Sequence, residues 1–188
     1  MSVSLADLWI PILLGGALAW FASGLIHMVL KYHNSDYGKL NNEDDVASSL
    51  RAGPVEPGFY SLPQCEDKKE MNEEGMQNRF KEGPVAFIAI FPRGMPPMGK
   101  LLGQQVAYFL ISGVMIAYCA TLAVPAGADY MTVFRVVSAV GFLAFCWSNI
   151  PMSIWYGHPW STTFKYMIDA LVYALIMAGS FAWWWPAP

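Results

Sequence analysis

Five polar side chains stand near one end of long apolar runs, where a membrane protein can do chemistry with an ionisable group. His27 and Asp169 are the ionisable pair, and Gln104, Gln105 and Asn149 fall at a similar depth. An ionisable residue inside a membrane span is costly and indicates function by default. A carboxylate beside an imidazole favours the protonated ring, so the pair suits proton handling.

A purely structural role for the same polar residues stays open. Asp169 is one turn inside its run, so it can reach the headgroups or pair with Lys165, four residues before it. His27 can hydrogen-bond to a backbone carbonyl or to Ser23. The five residues are therefore predicted to form either packing hydrogen bonds or a site for a proton, an ion or a ligand.

No cofactor and no metal site are predicted from the motifs. The three histidines have no paired spacing of the kind that zinc sites use, and no nucleotide-binding, zinc-protease or serine-hydrolase motif occurs. This favours a protein that is not an enzyme. One alternative is kept, a haem held by His27 and His158 near the same membrane face, with His33 lying past the end of the first run.

Four apolar runs must position these residues. They cover 8–30, 101–124, 131–150 and about 165–185, and hydrophobic residues make up 55% of the chain against 13% charged residues. About 20 residues cross the hydrocarbon core as a helix, and lipid leaves no backbone group unsatisfied. The first run is predicted to be an uncleaved anchor, because the first 30 residues hold no Lys or Arg and the run exceeds a signal peptide's core.

The predicted fold is an all-α membrane protein, a four-helix transmembrane bundle with a small α/β insertion. Residues 1–32 hold the first transmembrane helix, 33–100 the insertion and 101–188 helices two to four. Within the insertion, Asn42 is predicted to cap a helix that begins at Glu43, and 58–62 is predicted to be a short strand. A surface helix over 68–81 and a buried strand over 85–91 are predicted to follow.

The charge pattern predicts the orientation of the bundle. Nine of the eleven Lys and Arg residues lie between the first and second runs. By the positive-inside rule the insertion faces the cytoplasm, and both termini lie on the opposite side. Aromatic side chains are predicted to anchor the helices at the two interfaces: Trp9, Trp155, Trp160, Trp183, Trp184 and Trp185.

Small residues recur along the predicted helices at the spacing that lets two helix backbones approach closely. The first run carries three at intervals of four residues, and the second and third runs continue the pattern. The predicted packing positions are Gly15, Ala19, Ser23, Gly113, Ala117 and Gly141.

Several short segments resemble a set of four-span bacterial inner-membrane proteins. They are the residues His-Met-Val-Leu at 27–30 followed by His-Asn-Ser-Asp-Tyr at 33–37, Glu-Gly-Pro-Val at 82–85, and Trp-Ser-Thr-Thr at 160–163. The resemblance implies four spans and a bacterial source, hence a multi-pass protein of the inner membrane with periplasmic termini. It implies no activity.

The expected function is a non-catalytic accessory or assembly subunit of a larger bacterial membrane complex, respiratory or transport. Its partners are then other membrane subunits, further copies of itself and membrane lipid. Nucleic acid is not an expected partner, because the net charge is −3. Two alternatives stay open: a small homo-oligomeric proton-coupled transporter or channel using His27 and Asp169, and a haem- or quinone-binding redox subunit.

Overall fold

Helices dominate the computed structural model, which describes residues 3–53, 55–67 and 69–188. The α-helices are α1 (Trp9–Gly24), α2 (Glu43–Ala52), α3 (Glu74–Glu82), α4 (Met98–Ala123), α5 (Tyr130–Cys146), α6 (Ile150–Trp155) and α7 (Trp160–Trp183). The strands are β1 (Gly58–Leu62) and β2 (Ala86–Ile90). Among the described residues, four helical segments are long and apolar enough to cross a membrane, one for each predicted apolar run: Leu5–Leu30, Met98–Ala123, Tyr130–Trp155 and Trp160–Trp183.

The chain divides into two compact units. One comprises residues up to Tyr37 together with Pro97–Pro188, and the other is Gly38–Pro96. The sequence predicts boundaries at 32/33 and 100/101. In the structure, residues 33–37 belong instead with the long helices. This shift matters because it brings His33 and Asp36 into the helical unit.

In the helical unit, α7 is the most central helix. Half of its most apolar stretch is buried, against 28% for the other three. It packs against α5 and α1, while α4 packs against α1 and α5. Fully buried Phe109, Ile116, Met177 and Phe181 fill the space between the helices. In lipid, which is as apolar as these side chains, a core of this kind would be held by close packing.

Small residues lie where the helices approach one another most closely. All six predicted packing positions are buried. A Cβ atom built on Gly141 would lie 3.3 Å from the Cα of Ala174 on α7, and one on Gly15 would lie 2.8 Å from the sulfur of Met177. Glycine is therefore the residue that lets α1 and α5 sit against α7 at these two places.

The turn between α4 and α5 is tied to the last residues of the chain. The Gly127 amide donates to the Pro186 carbonyl at 2.9 Å, and the Trp185 indole donates to the Pro125 carbonyl at 2.9 Å. Asp129 caps α5 by accepting from the amides of the two residues after Tyr130. Of the six tryptophans predicted as interface anchors, Trp185 alone is half-buried, and the other five are exposed.

The Gly38–Pro96 unit is a small α/β element. β1 and β2 pair antiparallel, with Gly58 opposite Ile90 and Leu62 opposite Ala86. The predicted helix over 68–81 is instead a 3₁₀ turn at Glu70–Asn72 followed by α3, and Lys68 lies outside the described residues. The strand predicted over 85–91 is present as β2, but its predicted burial is wrong: β2 alternates half-buried and exposed residues, because a two-stranded sheet covers only one of its faces.

Gly141→Leu is expected to destabilise the helical unit, because the new side chain meets the α7 backbone and not a flexible side chain. Overpacking of this kind costs about 1–3 kcal/mol. The measurement is thermal unfolding of the full chain in detergent. Gly103→Leu is the matched control, since a Cβ atom there meets nothing within 4 Å. Equal melting temperatures for the two variants would contradict the α5–α7 contact.

Candidate functional site

The first long helix ends irregularly, and this places the histidines. A π-helical turn, Leu25–Leu30, follows α1, then Lys31 adopts a left-handed conformation with φ of 56°, and a 3₁₀ helix covers Tyr32–Asp36. Positive φ is uncommon outside glycine, and π turns occur frequently at functional sites. The chain turns back at Lys31, so that the rings of His27 and His33 stack with centroids 4.7 Å apart and planes 6° from parallel.

Asp169 on α7 is the centre of the site. It is 1% exposed. Its Oδ1 accepts a hydrogen bond from the Tyr32 hydroxyl. Its Oδ2 lies 2.8 Å from His33 Nε2 and 3.9 Å from His27 Nε2. A buried carboxylate is thus surrounded by three groups from the end of the first helix, which links that end to α7.

Lys165, one turn before Asp169, holds the 3₁₀ segment. Its Nζ donates to Asp36 Oδ1 at 2.5 Å, to the Tyr32 carbonyl at 2.8 Å and to the Ser35 hydroxyl at 2.7 Å. Burial acts to raise the pKa of Asp36, but the hydrogen bonds from Lys165 and His33, with their charges, hold that pKa below its usual value. Asp36 is therefore an ionised partner for Lys165 at neutral pH. The sequence suggested Asp169 for that role.

The tautomers of the two histidines follow from what their Nδ1 atoms face. His33 Nδ1 lies 2.6 Å from the Asp36 carboxylate, and His27 Nδ1 lies 3.0 Å from the Ser23 carbonyl. Both partners are acceptors, so both Nδ1 atoms carry a proton. Both Nε2 atoms lie near the same oxygen of Asp169, and the 2.8 Å separation on the His33 side is that of a hydrogen bond between His33 Nε2 and Oδ2.

Two adjoining cavities reach this cluster. A cavity of about 360 Å³ is lined by Ser23, His27, Gln105, Tyr108, Phe145, Asn149, Tyr166, Asp169, Ala170 and Tyr173. An apolar groove of about 550 Å³ between α1 and α4 shares Ser23, His27 and Gln105 with it. The buried Tyr173 hydroxyl has no hydrogen-bond partner among the described residues. The cavity thus combines aromatic walls with polar groups, as small-ligand sites do.

Four of the five polar residues singled out from the sequence line this one cavity. Gln104 does not; it is exposed on α4. His27 and His158, the pair considered for haem, line different cavities, since His158 is exposed beside Asp36 and Tyr37 in a smaller cavity of about 160 Å³. His27 turns its Nε2 atom towards Asp169.

Sequence reasoning missed Tyr32, His33 and Asp36, and it gave Lys165 a different partner. The sequence prediction places His33 and Asp36 in the insertion, because they follow the apolar run, and Tyr32 at the end of the first helix. One signal was available: His33 and Asp36 are three residues apart, and a 3₁₀ helix places such residues on one face. The π turn that brings His27 over His33 has no equally clear signature in the sequence.

The cluster also has the composition of a metal site. The ligand atoms of His27, His33 and Asp169 all lie within 4.8 Å of one another.

Comparisons with protein families, with curated proteins and with solved structures give no match. The chemistry of the side chains is therefore the basis for any functional proposal.

Lys165→Met and Asp36→Asn are each expected to destabilise the helical unit. The first leaves the Asp36 carboxylate without its lysine, and the second leaves the Lys165 ammonium group without its carboxylate. The Asp36 side chain is 4% exposed and that of Lys165 22%. Breaking a buried ion pair costs about 3–5 kcal/mol, and the low end applies to the partly exposed lysine.

Thermal unfolding of both single variants and of the double variant measures the coupling. The double variant is expected to lose less stability than the two single losses combined. Lys100→Met, a change at an exposed lysine of α4, serves as the control. Additive losses would show that Lys165 and Asp36 do not act as a pair.

Proposed function

We propose that the chain is a small multi-pass transporter or channel of the bacterial inner membrane, and that His27, His33 and Asp169 bind the cation to which its activity is coupled. The observation that carries this proposal is the convergence of two imidazole Nε2 atoms on one buried carboxylate oxygen. Three acceptors that face one another repel unless a cation lies among them.

The charges in the cluster support a bound cation. Among the groups in contact, Lys165 carries one positive charge, whereas Asp36 and Asp169 carry two negative charges when ionised. The second negative charge, on the almost fully buried Asp169, needs a further positive charge, which a proton or another cation among His27, His33 and Asp169 supplies. Burying an uncompensated charge is expensive, and one bound cation removes that cost.

A route for a proton runs through His33. The larger cavity reaches Asp169, and the smaller one is lined by Asp36. His33 lies between these two carboxylates, with one ring nitrogen within hydrogen-bonding distance of each. Tyr166 lines both cavities and stacks on the His33 ring at 5.0 Å. Charged and polar atoms therefore form an unbroken series from one cavity to the other.

The membrane placement is part of the same proposal. The four long helices and the nine basic residues at 31–100 support a cytoplasmic insertion and periplasmic termini. The cluster then lies towards the cytoplasmic end of the bundle, with Asp169 about two and a half turns after Trp160, the first residue of α7. Ionisable side chains inside membrane proteins characteristically mark ion and proton pathways.

Asp169→Asn is expected to lower cation flux at least about tenfold. The amide has no negative charge, so the site loses more than the 1.4 kcal/mol of cation-binding free energy that corresponds to a factor of ten. The measurement uses the full chain in liposomes, with dyes for protons, potassium and divalent ions. Asp45→Asn, on the exposed face of α2, is the matched carboxylate control. Flux that survives Asp169→Asn combined with His27→Ala would refute the proposal.

The accessory role expected from the sequence is the second candidate. It is favoured by the apolar groove between α1 and α4, which is lined by Trp20, Phe21, Leu25 and Leu102. A Cβ atom on Gly24, in the same groove, meets nothing within 4 Å. Uncovered glycine beside large apolar side chains suits the approach of a transmembrane helix from another subunit.

Purification of the native protein in mild detergent distinguishes the two candidates. An accessory subunit is expected to elute with stoichiometric partner chains, which mass spectrometry of the eluate would identify. Gly24→Leu is expected to release those partners, because the new side chain fills the groove. A preparation that contains this chain alone would exclude the accessory role.

A further inference from the structure

We infer that His27, His33 and Asp169 form a binding site for a divalent first-row transition metal ion. This inference rests on the proposed function and names the class of cation. The ligands are the two Nε2 atoms and Oδ2 of Asp169. Oδ2 lies 2.8 Å from the His33 nitrogen and 3.9 Å from the His27 nitrogen. Bonds of about 2.0–2.2 Å place the ligand atoms of one Zn²⁺ about 3–3.5 Å apart. The three ligand atoms lie within 4.8 Å of one another, so a side-chain movement is needed to close the site.

The groups behind the ligands are arranged as in protein metal sites. Metal-binding histidines characteristically donate their second N–H to a carboxylate or a backbone carbonyl. His33 has Asp36 in that position, with Lys165 holding the carboxylate, and His27 has the Ser23 carbonyl. The Tyr32 hydroxyl donates a hydrogen bond to Oδ1 of Asp169, which leaves Oδ2 available to the metal ion. All three ligands are thus oriented by neighbours that do not compete for the metal.

The donor set selects the kind of ion. Two imidazole nitrogens and one carboxylate oxygen suit Zn²⁺, Co²⁺ or Fe²⁺, whereas Mg²⁺ and Ca²⁺ prefer oxygen alone. Three protein ligands leave a position for a further ligand. His27 and Asp169 line the cavity of about 360 Å³, which has room for water or a small anion at that position.

One movement is required for all three ligands to bind. The rings of His27 and His33 are 6° from parallel, so the lone pairs of their Nε2 atoms lie in nearly parallel planes and do not point to one common metal position. The His27 side chain is 42% exposed, so its ring has room to leave the stack, and its Nδ1 contact with the Ser23 carbonyl must adjust as the ring moves. Where a proton lies between His33 Nε2 and Asp169, it leaves to solvent as the metal bonds form.

Metal binding to the full chain without a histidine tag tests the inference. The protein is treated with chelator in detergent, titrated with Co²⁺ and followed by visible absorption and metal analysis. One Co²⁺ per chain is expected, displaced by Zn²⁺ but not by excess Mg²⁺. Asp36→Asn should weaken binding about 10–100-fold, as losses behind the ligands do. His27→Gln should weaken it at least as much.

The chain offers its own control in His158, an exposed histidine outside the cluster. His158→Gln is expected to leave Co²⁺ binding unchanged. Asp169→Asn tests the third ligand, and if it fails to fold, the partly exposed His27 still gives the answer. Binding that is absent, or unaffected by His27→Gln, or lost in His158→Gln would overturn the inference.

The two proposals fail in different ways. If liposome flux depends on Asp169 but no metal binds, the transport proposal stands, the cation is a proton and the metal inference is wrong. If one Co²⁺ binds through His27 and Asp169 but no cation crosses the membrane, the metal site is supported and the transport proposal falls.

Discussion

The burial of Asp169 is the constraint on which the helical unit depends. A carboxylate that has lost its water must be compensated by donors or by positive charge, and α7 itself provides neither at that position. Compensation comes from Tyr32, His33 and His27, which belong to a segment more than 130 residues away in sequence. The end of the first helix is therefore held against α7 by electrostatics in addition to the packing of Ile26, Tyr32 and the His33 ring. Close packing of small residues explains the rest of the unit, but not this junction.

Lys165 and Asp169 have complementary roles in holding the end of the first helix. They lie one helical turn apart on α7, and each holds a different part of the same 3₁₀ segment. Lys165 satisfies Asp36 and two oxygens of the segment's turn, so the position of His33 is set from both sides. A site held in this way keeps its geometry without help from the exposed side of the bundle, where His27 is held by the Ser23 carbonyl and by stacking on His33.

The sequence was sufficient for the long helices and for part of the site. Length, composition and the lack of charge predicted four spans, because lipid allows very few alternatives to a helix. The depth of His27, Gln105, Asn149 and Asp169 followed from counting turns along those helices. The partners of Asp169 did not follow, because counting assumes that an α-helix either continues or stops. Leu25–Leu30 does neither: it widens into a π turn and then reverses at Lys31. In the insertion, a run of apolar residues at 85–91 suggested burial that two strands cannot provide.

The π turn makes the site depend on the length of the chain as well as on its residues. Each residue of an α-helix advances the side chains by about 100° around the axis. A chain one residue shorter between Gly24 and Lys31 would keep every polar group of the cluster, yet a regular helix there would shift the register between Ser23 and Tyr32. His27 and His33 would then face different directions. A chain with a single-residue deletion in this turn would thus keep the same polar residues but would not bring them together in the cluster.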